Sequence, residues 1–162
     1  MNLLQLLIHI ILMKLNKDIS NSSTFIGIDF GIKKIGIAIG QLITKKASPL
    51  KVILNSNNNV NWNEINSVFL EWKPDVIVIG YPYASKKNKF LLELDKFFED
   101  LTNKYGDDMI IIKFSEVLST EESKTIYSEM RKSTYNIRRK DNLDDLSASI
   151  ILQSWFNENM LT

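Results

Sequence analysis

Gly27-Ile-Asp-Phe-Gly-Ile-Lys-Lys-Ile-Gly-Ile-Ala-Ile-Gly40 reads as two short β-rich runs around a tight turn, with one carboxylate, Asp29, set inside the first. Alternation along a strand puts Phe25, Gly27 and Asp29 on one face and Ile26, Ile28 and Phe30 on the other. In the return run Ile35, Ile37 and Ile39 share a face, and Gly36, Ala38 and Gly40 take the opposite one. One side of this hairpin is therefore bulky and the other small. An ionised carboxylate in a dry sheet is costly unless a cation, a hydrogen-bond donor or a metal stands beside it. Small residues next to it leave space for a metal, a phosphate or a closely packed helix. Taken alone, Asp29 also reads as a turn residue capping backbone amides before Gly31.

Outward from this hairpin, Thr24 to Asp29 and Ile35 to Ile39 are the first two expected strands, and Lys51 to Leu54 a third, after a loop containing Pro49. Asn61 followed by Glu64 is a capping pair that opens a helix through Ile65, Val68, Phe69 and Trp72, stopping before Pro74. Asp75-Val-Ile-Val-Ile-Gly80 is a continuous apolar run, the pattern of a central strand covered on both faces. A second helix is expected from about Lys87 to Tyr105, with Phe90, Leu91, Leu94, Phe97, Phe98 and Leu101 as its core stripe and Gly106 as its stop. Met109 to Phe114 is the fifth strand. Ser119 with Glu122 predicts a helix to about Met130, and Asn142 starts a last helix carrying Leu146, Ile150, Ile151 and Trp155. The order is α/β: a meander, then parallel crossovers, giving a mixed five-stranded sheet with helices on both faces. The Asn-rich stretch from Asn55 to Asn63 reads as a polar loop.

The 162 residues suffice for one ordinary domain, and 44% apolar with 24% charged residues is the balance of a soluble globular protein. Residues 1–22 are read as an N-terminal extension and residues 23–162 as the domain. The apolar run Met1 to Met13 falls short of the ~18 residues of a membrane-spanning helix. Its lysines, Lys14 and Lys17, follow it, where a secretory signal has basic residues first. The extension is therefore read as a disordered tail or as a segment upstream of a true start at Met13, with a partner-binding helix as the alternative. No membrane association and a cytoplasmic location are expected. With no cysteine and a single histidine, His9, in the extension, thiolate chemistry, zinc sites and His-based triads are set aside. Carboxylates must do any acid, base or metal work. A net charge of +1 gives no global field for nucleic acid, so such binding needs local clusters. Lys33 with Lys34, and Arg138, Arg139 and Lys140, are the candidates; Lys45, Lys46, Lys86, Lys87, Lys89, Arg131 and Lys132 form others, and each also reads as a solvated face.

Three acidic positions fall at element ends that such a sheet can bring together: Asp29, Glu116 just after the fifth strand, and Asp144 at the start of the final helix, with Asp145 as an alternative. Oxygen ligands in this arrangement suit Mg²⁺ or Mn²⁺, as a divalent-metal phosphodiesterase needs. In a first helical turn Asp144 also stabilises simply by facing the helix dipole, by about 0.3 to 1 kcal/mol.

These stretches resemble the YqgF or RuvX family, bacterial proteins of ribonuclease H-like fold described as candidate Holliday junction resolvases and candidate pre-16S ribosomal RNA nucleases. The resemblance runs from about Phe25 to Phe156 and is carried by Gly27 to Gly40, Asp75-Val-Ile-Val-Ile-Gly-Tyr-Pro82, Ser115-Glu-Val-Leu-Ser-Thr120 and Leu143-Asp-Asp-Leu-Ser-Ala-Ser-Ile-Ile-Leu-Gln153. It implies Asp29, Glu116 and Asp144 as metal ligands and catalytic residues. It further implies a metal-dependent endonuclease acting on structured RNA, the 5′ leader of precursor 16S rRNA, or on branched DNA. Two departures stand out. The family's Asp-Glu-Arg is Ser115-Glu116-Val117 here, and its Gly-Leu-Pro-Leu loop is Gly80-Tyr-Pro-Tyr83. The first leaves open a catalytically weakened RNA-binding module. An actin-like or Hsp70-like ATPase, suggested by Gly-Ile-Asp-Phe-Gly, lacks the second domain and second phosphate motif in this chain.

Overall fold

The computed structural model describes residues 20–83, 86–115 and 143–160. Five strands, β1 (Thr24–Phe30), β2 (Lys34–Gln41), β3 (Lys46–Leu54), β4 (Val76–Tyr81) and β5 (Ile110–Ser115), form one sheet in the order β3-β2-β1-β4-β5. The first three are antiparallel neighbours, whereas β4 runs parallel to both β1 and β5, so the sheet is mixed. Helices α1 (Trp62–Trp72) and α2 (Lys89–Tyr105) lie on one face and α3 (Leu143–Met160) on the other. The helix expected from Ser119 lies outside the described residues.

The two faces of the hairpin separate as alternation requires. Ile26, Ile28, Phe30, Ile35 and Ile37 join Ile65, Phe69, Leu94 and Phe97 in the core under α1 and α2. Phe25 and Ala38 join Val78, Phe114, Leu152, Trp155 and Phe156 in the core under α3. On this second face the small residues admit the helix. A Cβ at Gly27 would stand 2.7 Å from the Ala148 carbonyl oxygen and 2.8 Å from Leu152 Cβ, and one at Gly40 would stand 2.6 Å from the Phe156 ring. Of the three occupants expected for this space, a closely packed helix fills it along Gly27 and Gly40. Phe25 then meets Trp155 and Phe156, both at 5.2 Å between ring centroids.

Local signals end the helices as expected. Asn61 Oδ1 accepts the Glu64 amide at 3.2 Å, and Lys73, in the left-handed region at φ 45°, closes α1 before Pro74. Asn88 caps α2 by accepting the Leu91 amide at 2.9 Å. The third strand departs from expectation. It begins at Lys46, and Pro49 lies inside it, paired with Ala38. Two circumstances permit this: β3 is the outer strand, and the register shifts between Ile37 and Ala38, leaving Leu50 as the extra residue of a bulge. The Asn-rich stretch contains a tight hairpin. Asn57 and Asn58, at φ 49° and 60°, turn the chain so that Ser56 and Asn59 exchange backbone hydrogen bonds.

Candidate active site

Asp29 is the penultimate residue of β1, half-buried on the α3 face and opposite Gly36 in the register. The parallel strands β1, β4 and β5 all end at this side of the sheet, where ligands of open α/β sheets commonly bind. A pocket of about 220 Å³ opens there. Asp29, Phe114 and Ser115 form its sheet side, and Ser147, Ile150, Ile151 and Ser154 its α3 side. Ser154 is committed to its own helix, its hydroxyl donating to the Ile150 carbonyl at 2.7 Å. The hydroxyl of Ser147, partly exposed, has no protein partner among the described residues and is available to a bound group. Phe114, Ile150 and Ile151 make the remaining wall apolar, which strengthens electrostatic contacts to the carboxylate.

Of the expected site residues, the structure thus brings Asp29 to a pocket, one residue from Glu116 in chain terms at Ser115 and one helical turn from Asp144 at Ser147. Glu116, Arg138, Arg139 and Lys140 lie outside the described residues. Asp144 is the second residue of α3, and its side chain is not among those described. Among the described residues no group of three or more His, Cys, Asp or Glu assembles. The polar groups at the pocket are a carboxylate and hydroxyls, all hard oxygen donors, and their chemistry fits Mg²⁺ or Mn²⁺. Lys33, in the β1–β2 turn, and Lys34, the first residue of β2, are exposed at the same end of the sheet, and neither lines the pocket.

Reading the sequence missed Ser147 and Ser154, whose seven-residue spacing places them two turns apart on one stripe of α3. It also missed a network at the ends of β4 and β5 on the other face. The Tyr81 hydroxyl donates to Asp95 Oδ1 at 2.8 Å, and Lys113 Nζ reaches the same oxygen at 3.1 Å while lying 4.2 Å from the Tyr81 ring centroid. Tyr83 packs on Tyr81 at 4.6 Å. The hydrogen bond from Tyr81, then that from Lys113, holds the Asp95 carboxyl below its ordinary value of 3.8; the same bond to Asp95 pushes the Tyr81 phenol up. A depressed carboxyl contributes stability above its ordinary value and loses it as the pH falls through the lower folded value. With Asp95 close to half-exposed the contribution is small. Asp95→Asn is therefore expected to flatten the acid limb of the stability curve below about pH 4 while altering stability at pH 7 by less than about 1 kcal/mol, as urea titrations across that range would measure.

No helix among the described residues is long and apolar enough to cross a membrane. The family model described as RuvX, Holliday junction resolvase, matches residues 23–158. A candidate pre-16S rRNA nuclease of Buchnera aphidicola subsp. Acyrthosiphon pisum (strain Tuc7) is 36% identical over 135 residues, covering 82% of this chain and 97% of that protein. One of Aliivibrio salmonicida (strain LFI1238) is 37% identical over 139 residues, covering 84% and 96%. Among solved structures, T. thermophilus RuvC in complex with a Holliday junction substrate superposes with a TM-score of 0.58 at 14% identity, covering 86% of this chain and 97% of that one. The Fowlpox virus resolvase in complex with substrate Holliday junction DNA gives 0.59 at 14%, covering 86% and 99%. These two establish the fold alone. With the family model spanning nearly the whole domain, the chain belongs to the RuvX family of nucleases, hydrolases of phosphodiester bonds built on the ribonuclease H-like fold.

Proposed function

We propose that this protein is a divalent-metal-dependent endonuclease that processes the 5′ end of precursor 16S rRNA, with Asp29, Glu116 and Asp144 holding the metal. The observation that carries the reading is Asp29 facing a pocket between β1, β5 and α3, whose other lining residues include the chain neighbour of Glu116. The similarity to relatives named for precursor 16S rRNA supports RNA as substrate. The two resolvases seen with junction DNA share only the fold with this chain, so branched DNA is the second reading.

When bound, Mg²⁺ or Mn²⁺ would supply charge neutralisation at the phosphate and make a coordinated water more acidic than bulk water. The chain's own residues position the reaction. Asp29 is held by the register of β1 against β2 and β4 and presents its carboxylate at the pocket. Phe114, Ile150 and Ile151 exclude bulk water, and the Ser147 hydroxyl hydrogen-bonds a phosphate oxygen. Lys33 and Lys34, with Arg138, Arg139 and Lys140, neutralise flanking phosphates.

The departure at Ser115 and Val117 is tested together with the ligand set. Cleavage of the precursor 5′ leader and of a four-way junction with Mn²⁺, assayed in parallel, is expected to favour the RNA. Ser115→Asp with Val117→Arg is expected to change the rate by less than about tenfold, because metal ligands outweigh a peripheral charge, and Glu116→Gln to eliminate cleavage. A native protein that binds RNA without cutting it, and gains cleavage in the double variant, would overturn this in favour of the weakened module.

A further inference from the structure

At the C-terminal ends of β4 and β5, two tyrosines and a set of lysines have no part in the site described above. β4 lies between β1 and β5, and its last residue, Tyr81, pairs in register with Ser115, which lines the Asp29 pocket. The chain leaving β4 therefore departs from the sheet beside that pocket. A hydrogen bond from the Tyr83 amide to the Tyr81 carbonyl, at 3.1 Å, closes a three-residue turn about Pro82, whose ring fixes one backbone angle. Tyr81 is itself held firmly. Its hydroxyl is bonded to Asp95, and the Lys113 ammonium lies 4.2 Å from its ring centroid and 4.5 Å from that of Phe98. Tyr83 leans on this fixed ring at 4.6 Å and 53°.

Tyr83 differs from the core aromatics in what its remaining surface meets. The residue is 58% exposed, and among the described residues it has no second ring or cation contact and its hydroxyl has no hydrogen-bond partner. An open aromatic face on a rigid support accepts the face of another flat ring. A small molecule stacked there alone would gain too little to offset its lost freedom, so the occupant is one tethered elsewhere as well. Lys86, Lys87 and Lys89, just along the chain, are exposed and form no ion pair among the described residues. Lys87 is near enough to favour ionisation of Asp95, but that carboxylate is already bonded to Tyr81 and Lys113. Ammonium groups beside a bare aromatic face are how single-stranded nucleic acid is held, phosphates on the cations and a base on the ring. A paired helix keeps its base faces stacked inside, so the base concerned is unpaired. We infer that Tyr83 is the stacking platform for one unpaired base of the substrate strand, beside the phosphodiester at the Asp29 pocket, with Lys86 and Lys87 on the adjoining phosphates. The inference rests on the nuclease reading for the source of the strand and deepens it: the segment presented for cutting is single-stranded.

The test measures binding to the full chain in EDTA, with an eight-nucleotide oligouridine, an abasic backbone of the same length and an RNA duplex as probes. Tyr83→Leu, which keeps an apolar side chain but no ring, is expected to bind oligouridine about tenfold more weakly, and Tyr83→Phe to bind it as the native protein does. Neither variant is expected to change affinity for the abasic backbone or the duplex, and both should melt within a few degrees of the native protein. Lys86→Ala with Lys87→Ala is expected to lower the slope of log affinity against log salt by about 1.4 on either single strand. A Tyr83→Leu protein that binds oligouridine as tightly as the native one, or that loses as much on the abasic backbone or the duplex, overturns the inference and leaves the exposed ring to a protein partner. An unchanged salt slope overturns the assignment of the two lysines. Loss of oligouridine binding in Tyr83→Leu, in a protein whose native form cuts neither the precursor leader nor a four-way junction with Mn²⁺, supports the platform and sinks the nuclease reading; cleavage with affinity indifferent to Tyr83 does the reverse.

Discussion

Asp29→Asn is expected to lower cleavage by at least about a thousandfold at saturating Mg²⁺ or Mn²⁺ while leaving the melting temperature within a few degrees of the native value, or raising it. The carboxylate faces a pocket and is not packed into the α3 core, so its replacement by an isosteric amide creates no cavity and adds no bulk. If Asp29 converges with Glu116 and Asp144, removing one of three like charges relieves repulsion in the metal-free protein. Single-turnover cleavage of the precursor leader and thermal melts in EDTA measure the two halves of the expectation. A melting temperature depressed by ten degrees or so would instead make Asp29 a structural cap, as its position before Gly31 first allowed.

Gly27→Ala and Gly40→Ala have the opposite signature, loss of stability first and of activity as its consequence. At Gly27 the new methyl would meet both a helix carbonyl and the Leu152 Cβ, neither of which moves without α3. At Gly40 it would meet the Phe156 ring and, at 2.9 Å, the Lys46 carbonyl of the neighbouring strand. Overpacking of this kind costs about 1 to 3 kcal/mol, or roughly 2 to 12 °C in a domain of this size. Gly27→Ala should be the worse for catalysis, because the helix it displaces carries Ser147 and Ile150 into the pocket. Retained activity in a Gly27→Ala protein with an unchanged melting temperature would show that α3 yields at no cost.

How far the sequence could be read depended on the range of the contacts concerned. Alternation in Phe25 to Phe30 and Ile35 to Gly40 was enough to assign both faces, because a register shift of one residue would bury Asp29 among isoleucines. The Asn61 and Asn88 caps are local, and Asn61 was read correctly from its spacing to Glu64. Pro49 misled because proline reads as a loop unless the strand is known to be an edge, and edge status follows only from the whole sheet. The Asn57–Asn58 turn was invisible for a related reason, since no alternating apolar runs flank it to announce a hairpin. Asp95 meets Tyr81 and Lys113 across 14 and 18 residues, and no periodicity encodes such a meeting. The acidic position in β1 was legible as chemistry; that its pocket would be lined by Ser147 and Ile151 required the path of α3.

The outer strand β3 bears on how this protein behaves in a crowded solution. An unpaired strand edge is a template for another chain, and concentrated sheet proteins aggregate through such edges. Here the Ala47 amide is taken by Gln153 Oε1 at 2.9 Å, and the same side chain donates to the Lys45 carbonyl at 3.0 Å, so a helix residue occupies the hydrogen-bonding positions that a foreign strand would need. Pro49 removes a further donor, the bulge at Leu50 breaks the regular spacing, and the exposed Lys46 adds charge that repels a second copy of itself. The edge that looked like a misplaced loop in the sequence is thus a guard against fibril-like strand addition on the β3 side of the sheet.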